Sequence, residues 1–300
     1  MTRKDLTLAV ILPLLWGFNF IVMKYAVTEA SPLFLVTIRF LLATIPLIFF
    51  VPKPDAPWAS LALFAFAFAV VKFCLLFTAF RMGAPAGITA VVLQMQAIVT
   101  VALSLVLYRE RPGARDLAGL GLAGAGLAII LYGLPDAGSL APLLVVFAAA
   151  TAWSCANLVI KSLKRADPAS FVVWTSALAT MMLVPLLLIL EGPATIASTL
   201  TGLSAWGWAS ILYLAYPISI ATGIIWSRLL TRYPSIKVTP FALAAPAVAL
   251  VASSLIFGED LTPTVLLGSA AIVLGVAINT LSRQSIAAPA KAASGFEAGR

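Results

Sequence analysis

Of the chain's 300 residues, 62% are apolar and only 10% charged, against roughly 45–50% and about 25% in a soluble globular protein. So little charge cannot cover the surface of a water-soluble fold, so lipid is the solvent for most of the chain. The sequence has no histidine, and its two cysteines, Cys74 and Cys155, lie far apart in apolar runs. This excludes histidine-based acid–base catalysis, His-ligated zinc or haem, and a disulfide framework, and no cofactor or metal is called for.

Hydrophobic runs bounded by charges, prolines and turn residues predict ten spans, at about 6–28, 33–51, 58–80, 84–107, 116–134, 140–162, 168–190, 205–229, 235–257 and 263–282. The first follows Arg3-Lys4, yet it is too long for a signal-peptide core and carries Trp16, Asn19 and Lys24, so it reads as a retained helix. The stretch 284–300, rich in Ala, Ser and Gly, reads as a disordered cytoplasmic tail.

The net charge of +8 is read as membrane orientation and not as a nucleic-acid surface. With alternating spans and an inner N-terminus, the inner segments hold Arg3, Lys4, Lys53, Arg109, Arg111, Arg115, Lys161, Lys164, Arg165, Arg228, Arg232, Lys237, Arg283, Lys291 and Arg300, 15 of the 19 basic residues. Lys24 and Arg81 fall at outer ends, and Arg39 and Lys72 within spans. The bias places both termini in the cytoplasm and disfavours an odd number of spans.

Polar groups inside hydrocarbon each need a reason. In the first span Trp16, Asn19 and Met23 share a face. Arg39 lies about six residues from the outer end of the second span, within reach of the interface by snorkelling. Lys72, just past the middle of the third, costs roughly 2.5–3.5 kcal/mol to insert. Either it attracts a substrate carboxylate, or its stem snorkels or pairs with helix carbonyls. Gln94 and Gln96 in the fourth span are about 200° apart on a helix, so one lines a cavity and the other bonds a neighbour.

The Gly and Ala of the fifth and tenth spans read as close-packing surfaces. In the sixth span, Trp153, Asn157 and Lys161 form a second mixed stripe, with Lys161 a topology charge. A ring beside an amide suits an amphipathic small molecule, although Asn and Trp also join and pack helices. The eighth span contains Tyr213, Tyr216, Pro217 and Thr222; the ninth contains Thr239, Pro240 and Pro246. Prolines at mid-depth free carbonyls and permit bending. The candidate substrate residues are therefore Trp16, Asn19, Lys72, Gln94, Gln96, Trp153, Asn157, Tyr213 and Tyr216.

The two halves echo each other. Trp16-Gly17-Phe18-Asn19 with Lys24 parallels Trp153-Ser154-Cys155-Ala156-Asn157 with Lys161, eight residues from Trp to Lys in both. The exit Glu110-Arg111-Pro112 parallels Glu259-Asp260 with Pro263, and a small-residue-rich span follows each. A five-span unit is odd, so its second copy enters from the opposite side. This predicts an all-α membrane protein of ten transmembrane helices in two inverted five-helix repeats, 1–137 and 138–283, with a midplane site between them.

Together the Trp16-Gly17-Phe18-Asn19-Phe20 entry, the Arg39-Phe40 pair and the Glu110 and Glu259 exits, each followed by a Gly-rich span, resemble the drug/metabolite transporter superfamily. The likeness is to its ten-helix exporters with two EamA-type repeats, most of all the YddG-type amino-acid exporters, and covers about residues 6 to 282. It implies a multi-pass protein of the bacterial inner membrane that exports amino acids, aromatic or apolar ones among them, by alternating access. Its partners would be the small-molecule cargo and the lipid bilayer, with no nucleic acid, and a monomer would hold both repeats. An exporter of another metabolite or a drug, such as a nucleoside or sugar derivative, is the alternative. Ser154 in place of Gly17, and an Asn one residue later, depart from strict symmetry.

All eleven acids fall in loops, at span ends or in the tail. With neither a carboxylate nor a histidine within a span to load a proton, cargo is expected to flow down its own gradient, or to couple weakly through a group at the membrane edge. An intramembrane protease would need a Ser–His pair, paired aspartates or a metal motif, and a channel would show charge rings or a repeated filter. The chain has neither set, which leaves a carrier and not an enzyme.

Overall fold

The computed structural model describes residues 1–107, 113–134, 140–162, 167–233 and 235–287. They form helices with no strand among them. Eleven rods follow in chain order. They are α1 (Arg3–Ala26), α2 (Pro32–Thr44), α3 (Trp58–Arg81), α4 (Ala86–Leu93 and Met95–Leu107), α5 (Ala114–Tyr132), α6 (Leu140–Ser162), α7 (Pro168–Leu190) and α8 (Gly192–Gly202). After them come α9 (Ala205–Tyr213, Leu214–Ala221 and Thr222–Arg232), α10 (Ser235–Ala242 and Ala245–Phe257) and α11 (Pro263–Ala287). Eight of the described helices are long and apolar enough to cross a membrane, and Ala245–Phe257 and Pro263–Ile278 are shorter apolar helices.

The starts follow local chemistry. Ser31 and Asp167 each accept the N–H of the third residue on, from Phe34 and Ser170, with a proline at the first helical position. Ser204 caps α9 through the N–H of Gly207. The second rod stops at Thr44, short of the predicted residue 51. Ile45 precedes Pro46 and is driven to an extended conformation (φ −96°, ψ 131°), and one tight turn at Leu47–Phe49 follows. The segment 192–202, expected to be a loop, is a helix with no buried residue. At the other extreme α11 runs to Ala287, past the predicted 282. The rest of the expected tail, and the Glu110 exit, lie outside the described residues.

Four rods are irregular at mid-length. Residues Ala65–Lys72 of α3 and Leu214–Ala221 of α9 are wound as π-helix, the wider i→i+5 form often found at functional sites. In α4 the winding breaks at Gln94, and in α10 between Ala242 and Ala245.

The principal packing pairs are α5 with α11, α3 with α6, α1 with α10, α4 with α6, and α2 with α7. The first bears out the small-residue reading. A Cβ at Gly126 would lie 2.6 Å from the Gly268 carbonyl oxygen, and one at Gly275 would lie 2.6 Å from that of Gly119. Backbone meets backbone along this seam. Gly17 lets α1 approach α10 in the same way, since a Cβ there would meet Ala245 O at 2.8 Å. At the corresponding place in α6, Ser154 donates to Gln96 O of α4 at 2.8 Å. The largest core draws its buried residues from every rod but α8, with the fully buried Phe34, Phe77 and Leu183 among its members.

Candidate functional site

Two cations lie in the interior. Lys72, at the end of the π segment of α3, is 4% exposed, and Arg39 of α2 is 3% exposed. Lys72 Nζ sits 4.2 Å from the ring centroid of Phe68, 4.1 Å from Phe73 and 4.0 Å from Trp153. The Arg39 guanidinium lies 4.2 Å from the same Phe73 ring. Its Nε donates to Ser219 Oγ at 3.1 Å, and Ser219 in turn donates to Leu214 O, five residues back in the π segment of α9. Arg39 Nη1 is buried without a hydrogen-bond partner. Among the described residues Lys72 has no hydrogen-bonding or ionic partner.

Ring contacts compensate in part, at about 0.5–2 kcal/mol each. An unpaired buried ion costs several kcal/mol, so the rings alone do not balance two of them. The interior position also corrects the expectation for Arg39: its head does not snorkel to the interface. The guanidinium turns inward because Ser219 and Phe73, from two other rods, offer it an acceptor and a π face.

The other candidates form separate groups. Gln96 Oε1 accepts from Asn157 Nδ2 at 2.7 Å, and Asn157 also reaches Thr100 Oγ1 at 3.3 Å, so this pair joins α4 to α6 one turn from Trp153. Gln94 is half-buried at the break in α4. Trp16 packs edge-on against Trp226 (centroids 5.3 Å apart) in a small core with Leu12, Leu229 and Val238. Asn19 Nδ2 contacts Met23 Sδ at 3.4 Å, while its Oδ1 is buried and unpartnered. Tyr213 donates to Leu15 O at 2.9 Å and Tyr216 to Ile45 O at 3.2 Å, tying α9 to α1 and to the end of α2. The structure thus brings Lys72 and Trp153 together with Arg39, Phe68, Phe73 and Ser219. It leaves Trp16 and Asn19 in a different setting from their counterparts Trp153 and Asn157. The side chain of Lys161 lies outside the described residues.

Polar ties join the rods at both ends. At the end carrying the 258–262 connection, Glu259 accepts from Lys24 Nζ at 2.6 Å, from the N–H groups of Ala86 and Gly87 at 2.7 and 3.1 Å, and from the Ser253 hydroxyl. A carboxylate over the first turn of α4 is the favourable polarity for a helix N-terminus. Burial pushes the Glu259 carboxyl up, but those four donors outweigh it and hold it below its ordinary value. Glu29 is likewise held low by the Ser204 hydroxyl and N–H and by Tyr25, and Ser31 donates to Glu191. At the opposite end, Asp5 accepts from Tyr233 at 2.7 Å and Arg232 at 3.1 Å, and pins the start of α1 to the end of α9. Elsewhere, Trp174 Nε1 donates to Val51 O at 3.3 Å and the ring meets Trp58 edge-on.

All-helical among its described residues, with eight helices long and apolar enough to cross a membrane and a buried polar centre drawn from four rods, the chain is of the multi-pass membrane-protein class. Comparison with known proteins narrows this. The EamA-like transporter family matches residues 4–132 and again 140–281. The chain is 34% identical over 285 residues to a probable amino-acid metabolite efflux pump of Salmonella typhimurium, covering 93% of this chain and 95% of that one, and to the protein of the same description in Escherichia coli to the same extent. It is 27% identical over 263 residues to protein PecM of Dickeya dadantii, covering 85% of each. A crystal structure sharing 17% identity has the same fold, with a TM-score of 0.63 over 94% of this chain and 97% of that one. The chain belongs to the EamA-like transporter family of the drug/metabolite transporter superfamily. It is a transporter and not an enzyme.

Proposed function

We propose that this protein exports amino acids or their close derivatives across the bacterial inner membrane, by alternating access between two inverted five-helix units, 1–137 and 138–283. The ten spans are α1–α7 and α9–α11, with α8 lying at the surface and both ends of the chain in the cytoplasm. The cargo reading draws on the two efflux pumps that share 34% identity with the chain.

The observation that carries the mechanism is the matched irregularity of four rods. The third and eighth spans each contain a π segment of eight residues, and the fourth and ninth are each interrupted. Under an inverted repeat these are corresponding rods, as are α1 with α6 and α5 with α11. The pairing of α1 with α10 then mirrors that of α6 with α4. Discontinuous helices around a midplane site give carriers both hinges and exposed backbone groups for cargo. Lys72 and Trp153 line the site in this reading, and the Gln96–Asn157 pair fixes the α6 face beside them. Trp16 and Tyr213 brace α1 against α9, Tyr216 ties α9 to the end of α2, Asn19 bonds within α1, and Gln94 sits at the α4 hinge.

The test is counterflow in liposomes. Purified protein is reconstituted with unlabelled amino acids inside, and uptake of labelled ones is followed without a pH gradient. Saturable exchange, slowed by Trp153→Ala, is the expected result. A folded, monodisperse preparation that exchanges no amino acid would refute the cargo.

A further inference from the structure

The charge inventory around the centre bears on which amino acids are carried, an inference that rests on the reading just given. Among the described residues the buried charged side chains are Asp5, Arg39, Lys72 and Asp116. Asp5 and Asp116 lie in the first turns of α1 and α5, so among the described residues the centre holds two cations and no anion. Both cations lie against the Phe73 ring, and their like charges repel each other. Arg39 Nη1 has an unused donor, Lys72 has none of its donors satisfied by the described residues, and the only hydroxyl bonded to either, Ser219, is committed to Leu214 O. A buried pair kept for structure alone would be compensated by a carboxylate or by carbonyls. Here the fold leaves the compensating charge to be supplied from outside.

We infer that Arg39 and Lys72 form a seat for the anionic groups of a cargo with net negative charge: a dicarboxylic amino acid, or an amino acid whose amine is acylated. A neutral zwitterion offers one carboxylate, but it also brings an ammonium beside two cations, with no acid nearby to receive it. The ring faces that could hold such an ammonium, those of Phe68, Phe73 and Trp153, are already taken by Lys72. A second carboxylate, or acylation of the amine, lowers the positive charge left in the seat by one, and the dicarboxylic cargo also offers one oxyanion group for each cation. The planar guanidinium offers a two-toothed grip and the ammonium a point charge.

Glutamate and glutamine test this, since they differ by one charge at nearly constant shape. In counterflow, wild-type protein should exchange labelled glutamate at least about tenfold faster than glutamine. Lys72→Gln should erase most of that ratio, and Lys72→Arg should keep it. In detergent, glutamate should raise the melting temperature of the wild type above the shift seen with glutamine, and this difference should vanish in Lys72→Gln. Arg39→Lys, which retains both charges, replaces Lys72→Gln if that variant does not fold: it should weaken glutamate exchange more than glutamine exchange. Equal or faster exchange of glutamine by the wild type overturns the seat and leaves the amino-acid carrier standing. No exchange of any amino acid and no glutamate-specific melting shift overturns both.

Discussion

Among the described residues Glu259 is the most heavily bonded acid at its end of the bundle, and replacing it with glutamine isolates the effect of charge. One carboxylate oxygen accepts from Lys24 and Ala86, the other from Gly87 and Ser253. A glutamine has one oxygen and one amide nitrogen, so in either orientation an N–H faces the N–H of Ala86 or Gly87. A net hydrogen bond to a charged group contributes about 1.5–3 kcal/mol. The Lys24 and Glu259 side chains keep 23% and 15% of their exposure, and water screens the pair, so the Lys24 link is placed at the low end, about 1.5 kcal/mol. A backbone donor left facing another donor adds about 1–1.5 kcal/mol. The sum, about 3 kcal/mol, lowers the melting temperature by about 6–12 °C at the 2–4 °C per kcal/mol usual for chains of this order of size. The assay is thermal unfolding in detergent of wild type, Glu259→Gln, Lys24→Met and the double variant. A coupling near 1.5 kcal/mol is expected. If the two single changes add to within about 0.5 kcal/mol, Lys24 and Glu259 act independently and the reasoning fails.

Two further outcomes follow from the same structure. Because the folded protein holds the Glu259 carboxyl below its ordinary value of 4.5, the stability it contributes is fully present above that value and is lost as pH falls through the lowered one. The melting gap between wild type and Glu259→Gln should thus stay constant from pH 8 to pH 5 and close only in stronger acid; a gap that closes near neutrality would contradict the assignment. Along the α5–α11 seam, Gly126→Leu should cost about 1–3 kcal/mol or more, because the new Cβ meets backbone that cannot rotate away. Gly124→Leu, with open space at that position, should be neutral or gain up to about 1 kcal/mol from helix propensity, and equal effects of the two in a melting assay would refute the seam.

Most rods were legible in the sequence because hydrocarbon obliges each crossing segment to satisfy its own backbone, which leaves long apolar runs. The small-residue seam was legible for a related reason: glycines at helical spacing have little use in lipid except close approach. The α8 helix was not, since its Ala, Ser and Thr residues carry no periodic apolar face and Gly192-Pro193 reads equally well as a turn. Pro217 flagged the irregular part of α9, but the π stretch of α3, Ala65–Lys72, contains no proline and gives no local signal. Arg39 was read wrongly because depth along its own rod was the available measure. Its true surroundings, Phe73 and Ser219, are set by rods 34 and 180 residues away in the chain. Trp16 and Trp153 matched in sequence and diverged in space for the same reason.

The seam between α5 and α11 also fixes what can move. Where carbonyl touches backbone with no side chain between, there are no rotamers to re-seat and no ridge to step over, so the two rods cannot ratchet past one another without tearing a contact along their whole length. They form a single stiff rail running the depth of the molecule, while the wide-turn and interrupted rods take up the strain of any rocking. Gly121 faces open space and Leu274 is exposed on the same pair, so spectroscopic labels can be carried there without disturbing the contact. Distances measured from that rail to α3 or α9 then share one reference, and the displacement of each rod can be read separately.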